Sequence, residues 1–193
     1  MSYQLSFYAL DHARLQAAFG SGDQALVDRI LVDGDLDDEA QDALRELVLG
    51  ERGRELAQRP AGARVERASA VQAVAIAAMV TALGVWVGET SHASGGAGGF
   101  LDLLTDARYA PPQFADHGLA WKLIGHPIAG LENPGDFPQW GGLDRPEMTR
   151  FVGDAGTVFE PPDDGDIAEW SADIHRAVRA ALAKGRDLVT IYG

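Results

Sequence analysis

Residues 3–9 alternate strictly, with Tyr3, Leu5, Phe7 and Ala9 on one side and Gln4, Ser6 and Tyr8 on the other. This period of two, rich in aromatics, predicts a half-buried strand. Asp11 then stands as a helix N-cap, and Leu10 and Leu15 bracket it at hydrophobic-staple spacing. The helix that follows buries Leu15, Ala18 and Phe19 and stops at Gly20. Ser21 and Gln24 stand at capping-box spacing for a second helix with the stripe Leu26, Val27, Ile30, Leu31. Asp37 or Asp38 caps a third, carrying Ala40, Ala43, Leu44, Leu47 and Val48 and ending near Gly50. Residues 51–63 are polar and contain Pro60 and Gly62, so they read as an irregular connection with room for a helical turn.

Residues 68–83 are rich in alanine, and between positions 70 and 87 only Gln72 and Thr81 carry polar side chains. A membrane span is the first reading of such a run. Alanine contributes far less to insertion than leucine or isoleucine. A lone span would also separate two chain ends that both read as strands of one sheet. The expectation is therefore a buried central helix, apolar on most of its surface. Beyond it, Val85–Val87 reads as a short strand, Ser94–Gly99 as a flexible surface loop, and residues 100–106 as a short helix. Residues 115–124 read as a helix with Leu119 and Leu123 inward and Trp121 a further candidate for that face. Residues 126–142 hold Pro127, Pro134 and Pro138, too broken for regular structure. Asp144 and Glu147 cap a helix with Met148, Phe151 and Val152 inside.

The last helix is the clearest. Asp163, Asp164 and Asp166 crowd its start, Ile167, Trp170, Ile174, Val178, Ala181 and Leu182 recur at helical spacing, and Lys184 and Gly185 close it. Leu188–Tyr192 is a β-rich run. The pattern predicts an α+β fold. It is a helix-rich single domain with a small sheet containing both terminal strands and an irregular, insert-like segment at about 84–142.

The opening Phe7-Tyr8-Ala9-Leu10-Asp11-His12-Ala13-Arg14-Leu15 and the closing stretch from Arg179 to Gly193 resemble the ends of YfbM-like bacterial domains. Those begin with an aromatic strand, an acidic cap and a helix, and end with a long helix, a glycine turn and a strand finishing in glycine. The resemblance implies a bacterial protein of α+β fold. That family being of unknown function, it supplies no catalytic residue.

Charge narrows the picture further. Of 193 residues, 29 are acidic and 16 basic, a net charge of −13. Nucleic-acid binders neutralise phosphates with Lys and Arg, so this balance opposes that class and anionic membranes alike. It suits a basic protein partner, or simple solubility. There is no cysteine, which excludes disulfides, thiolate metal sites and thiol nucleophiles. The first residues lack a basic n-region and a small-residue cleavage site, so a cytoplasmic protein is expected.

Candidate chemistry is sparse. The Ser94–Gly99 loop lacks the Gly-Lys-Ser/Thr ending of a phosphate loop. Asp33–Glu39 starts like a calcium loop but has Asp38 where glycine and Leu44 where glutamate are needed, so it reads as a capping turn. The histidines are His12, His92, His117, His126 and His175, and no pair has the helical spacing of a metal site. His12 and His175 are expected on helices, exposed or capping. No metal or cofactor is expected. His92, His117, Trp121, His126 and Trp140 fall in the unplaced middle and form the candidate binding set. Two functions suit these residues. One is a non-enzymatic protein-binding module that neutralises a basic partner, as immunity proteins do. The other is a small-ligand binder or hydrolase with a histidine cleft in residues 89–140. With no catalytic motif present, the first is preferred. A self-assembling structural protein is a third possibility.

Overall fold

The computed structural model describes residues 3–59, 64–92, 118–134, 137–153 and 165–193. Among these, the elements run β1 (Tyr3–Ala9), α1 (His12–Ala18), α2 (Gln24–Asp33), α3 (Asp38–Val48), α4 (Glu51–Ala57), β2 (Glu66–Arg67), α5 (Ala70–Leu83) and β3 (Val85–His92). They continue with α6 (Leu119–Gly125), β4 (Leu131–Glu132), β5 (Gln139–Leu143), α7 (Arg145–Gly153), α8 (Gly165–Ala183) and β6 (Leu188–Tyr192). The fold is α+β.

Both terminal strands lie side by side at the centre of an antiparallel sheet of order β3-β1-β6-β5. Leu5 stands opposite Tyr192 and Ala9 opposite Leu188. Beyond the ladder, the Gln4 amide donates to the Gly193 carbonyl at 2.7 Å and the Gly193 amide returns the bond at 2.9 Å. A separate two-stranded parallel pairing joins β2 to β4.

The alternation in β1 divides the interior. Leu5, Phe7 and Ala9 belong to a core shared with Met148 and Phe151 of α7 and Trp170, Ile174 and Val178 of α8. Tyr8 packs on the other face, against a core built by α1–α5 around Leu15, Phe19, Leu44, Ile76 and Met79. β6 alternates in step: Leu188 and Tyr192 join the first core, Val189 the second. A sheet covered by helices on both faces needs its central strands apolar on both sides, and β6 is.

α5 is the alanine-rich segment. Ser69 and Gln72 form a complete capping box at its start. Ala73, Ala75, Ile76, Met79 and Val80 are fully buried. With 14 residues it spans about 21 Å, short of a bilayer core. No described helix is long and apolar enough to cross a membrane.

Several local expectations change. α2 is capped by Asp23, which accepts from the Leu26 amide at 2.9 Å, while Ser21 accepts from the Asp23 amide instead. Gly22, at φ +74, turns the chain between them. Of the two caps expected for α3, Asp37 is the one in place. Residues 51–57 form a helix because tertiary packing rewards it: Leu56 is fully buried, and Gly53 lies so close to α3 that a Cβ would stand 1.9 Å from the Leu47 carbonyl oxygen. β3 runs for eight residues, templated by β1 through a bulge between Phe7 and Tyr8. Residues 139–143 form a strand inside the stretch expected to be irregular, since β6 supplies a partner edge. Trp121 points outward, 55% exposed. The Ser94–Gly99 loop, the helix at 100–106, Asp163 and Asp164 lie outside the described residues.

Candidate functional site

Four chain segments meet at one end of the sheet: the start of α1, the end of α6, the β5–α7 turn and the α8–β6 turn. Asp187 ties three of them. Its Oδ2 accepts from the His12 amide at 3.0 Å and its Oδ1 from the Arg145 amide at 3.1 Å, so one carboxylate caps the first residue of both α1 and α7. Asp11, the residue before α1, makes no side-chain cap and instead accepts from Arg186.

His12 sits on this frame. Its Nδ1 is 3.9 Å from Asp187 Oδ2, an electrostatic contact rather than a hydrogen bond. Its Nε2 presses on β5, where a Cβ on Gly142 would stand 2.8 Å away. Its ring stacks on His126, with centroids 5.6 Å apart and planes 18° from parallel. His126 follows α6 and is half-buried. Burial, then the nearby His12 and Lys122, favour its neutral form against the opposing pull of Glu147 and Asp144, so its pKa lies below the ordinary 6.5.

Glu147 closes the cluster. It is buried, accepts from the Lys122 ammonium, and accepts at Oε2 from the Asp144 amide at 3.0 Å. Asp144 in turn accepts from the Glu147 amide at 2.7 Å, the capping box expected for α7. Burial works to raise the Glu147 pKa, but Lys122 and the Asp144 amide outweigh it and hold the carboxyl below the usual range. The arrangement offers a stacked pair of imidazoles beside a closed ion pair. Among the described residues no group of three or more His, Asp or Glu side chains is placed to hold a metal ion.

Only His126 of the candidate set enters this cluster. Trp140 lies nearby on β5 but is fully buried in the α1–α5 core. The Asn133 side chain brackets its backbone, accepting from the Trp140 amide at 2.8 Å and donating to its carbonyl at 2.9 Å, and also donates to the Ile124 carbonyl at 2.6 Å. Asn133 thus mimics a strand along the β5 edge and ties α6 to it. Trp121 is on the outer face of α6. His92 pairs with Tyr3 at the far end of β3, the opposite edge of the sheet, so it and His126 are not brought together. His117 lies outside the described residues. His12 is the member that sequence reasoning missed; its partner is 114 positions away and no spacing announces it.

The neutral preference of His126 makes a pH prediction. A histidine whose folded pKa is depressed contributes stability that is present above the unfolded value of 6.5 and is lost as pH falls through the folded value. The urea midpoint is expected to fall between pH 7 and pH 5, and His126→Gln to flatten that fall. Some slope will remain, because burial and then Arg179 also lower the His175 pKa. Identical slopes in the two proteins would exclude His126 as a contributor.

A second feature lies on the α1–α5 side. Between positions 23 and 48 there are nine carboxylates and two arginines, so this stretch carries seven of the thirteen net negative charges. All nine carboxylate residues are exposed. Where α3 meets α5, a groove of about 440 Å³ is rimmed by Glu39, Asp42 and Glu46 over Ala43, Leu47 and Val71. Asp42 is shared with Arg45 at 2.9 Å, and Glu46 accepts from the Arg52 amide at 3.0 Å.

No curated protein and no solved structure matches the chain. The family described as a domain of unknown function, DUF7691, matches residues 1–193, and the chain belongs to that family.

Proposed function

We propose that this protein is a non-enzymatic protein-binding module whose acidic α2–α3 face engages a basic protein, in the manner of an immunity protein neutralising a basic toxin or nuclease. One observation carries the reading: seven of the thirteen net negative charges stand on 26 consecutive residues, every carboxylate of that stretch exposed. Such a face steers a cationic partner and speeds association, with a strong dependence on salt. The α3–α5 groove adds a seat. Its apolar floor suits the aliphatic stem of a lysine or arginine, and its rim the charged head. The same charge repels nucleic acid and anionic membranes. The YfbM-like character of the two ends and a cytoplasmic, bacterial setting belong to this reading.

The test is affinity capture on the immobilised full chain. A stoichiometric basic protein is expected at low salt, released as salt is raised and lost with Glu39→Gln/Asp42→Asn. Recovery of no stoichiometric partner, or equal recovery by the double variant, counts against the proposal.

The competing reading, a small-ligand binder or hydrolase with a histidine cleft, has one favourable observation in the His12–His126 stack. Thermal-shift screening against nucleotides, sugars, phosphates and divalent cations separates the two. A ligand that binds the folded state must raise its stability, so no shift at saturating concentration removes the competitor.

A further inference from the structure

A second groove lies between α2 and the C-terminal half of α5. It measures about 360 Å³, within the range of small-molecule sites. Ile30 of α2 and Ala78 and Ala82 of α5 give it an apolar wall. Thr81 adds a hydroxyl, which donates to the Ala77 carbonyl at 3.0 Å and lies 3.3 Å from the Tyr8 hydroxyl. A hydroxyl oxygen has two lone pairs, so one remains for a donor in the groove.

Arg29 and Asp33 of α2 complete the lining. They carry opposite charges one helical turn apart, yet no ion pair joins them, and neither side chain has a partner among the described residues. Neither is placed for the benefit of the helix. Asp33 ends α2, where the dipole is negative and favours a cation. An arginine N-terminal to its aspartate is also the poorer order for such a pair. One wall of the groove therefore presents a cation and an anion, each open to a ligand.

We infer that the α2–α5 groove binds a small zwitterion, a free α-amino acid with an aliphatic side chain. Its carboxylate takes the Arg29 guanidinium, whose planar fork matches a carboxylate. Its ammonium takes Asp33, beside the negative end of α2, with Thr81 Oγ1 as a further acceptor. Its side chain lies on Ile30, Ala78 and Ala82. A simple anion would be repelled by Asp33 and a simple cation by Arg29, whereas a zwitterion answers both. The site shares no lining residue with the α3–α5 groove, so it stands whether or not a basic protein binds there.

The test is amide NMR of the isotope-labelled full chain titrated with L-leucine to about 10 mM, a range suited to a ligand of so few atoms. Saturating shifts are expected at the C-terminal ends of α2 and α5. Leucinamide lacks the carboxylate and N-acetyl-leucine the ammonium. Each should bind at least about tenfold more weakly, the loss expected for one charged hydrogen bond. Arg29→Gln and Asp33→Asn should weaken L-leucine by a similar factor. Both positions are exposed, and Asp33→Asn should keep or raise the urea midpoint, because it removes a carboxylate from a negative helix end. The inference is overturned if L-leucine gives no saturating shifts at these amides, if either analogue binds as well, or if either variant binds L-leucine unchanged.

Discussion

Gly141→Ala is expected to destabilise the protein by at least about 3 kcal/mol, the upper range for overpacking a close-packed core. Gly141 sits in β5 opposite Thr190 and faces α6. A Cβ there would stand 2.1 Å from the Lys122 carbonyl oxygen, 2.3 Å from the Leu123 carbonyl carbon and 2.5 Å from its oxygen. All three are backbone atoms, so no side chain can swing aside. The helix itself must lift. Lifting it would also break the bond that Thr190 Oγ1 donates to the Leu123 carbonyl, open the packing of Leu123 and Ile124, and move His126 off His12. Gly125, at the end of the same helix, has nothing within 4 Å of a built Cβ and serves as the control. Urea denaturation of the two alanine variants decides the matter. Equal midpoints would mean that α6 is not seated on β5 as described.

Asp187→Ala is expected to cost roughly 2–3 kcal/mol, the sum of two helix caps at about 1 kcal/mol or more each. One carboxylate accepts from the first amides of both α1 and α7. Its removal leaves the first amides of α1 and α7 without their acceptor, with the Asp144–Glu147 box still in place on α7, and lets the β5–α7 and α8–β6 turns drift apart. Asp187→Asn retains one acceptor oxygen and should lose about half as much. The two contributions are coupled through one side chain, so the variants are compared with each other rather than summed. Thermal and urea midpoints for wild type, Asn and Ala should fall in that order. An Asn variant as damaged as Ala would place the effect on charge instead of capping.

These two positions show how far local sequence reaches. The capping residues Asp37 and Asp144 were legible because a cap and its amide lie three residues apart. Asp187 was not, because its amides lie 175 and 42 residues away. His126 was legible as a candidate from its setting among prolines and tryptophans. Its partner His12 was hidden inside an ordinary amphipathic helix. Trp140 carries no local sign that both its indole and its strand are buried, since burial there follows from β6 and Asn133 closing around it.

The sequence by itself determined the α+β class, the two terminal strands, the central alanine-rich helix and the long closing helix. The first strand and the closing helix rest on periodicities of two and 3.6 residues, and the central helix and the last strand on unbroken apolar or β-rich runs; all of these are properties of neighbours along the chain. It also determined the acidity, and the concentration of that acidity in residues 23–48. Only the tertiary structure decided that both terminal strands lie at the centre of the sheet, that β3 runs to eight residues and that residues 139–143 pair at all. A strand with two glycines in five positions has little preference of its own. It exists because β6 offers an edge on one side and α6 needs the absent side chain of Gly141 on the other.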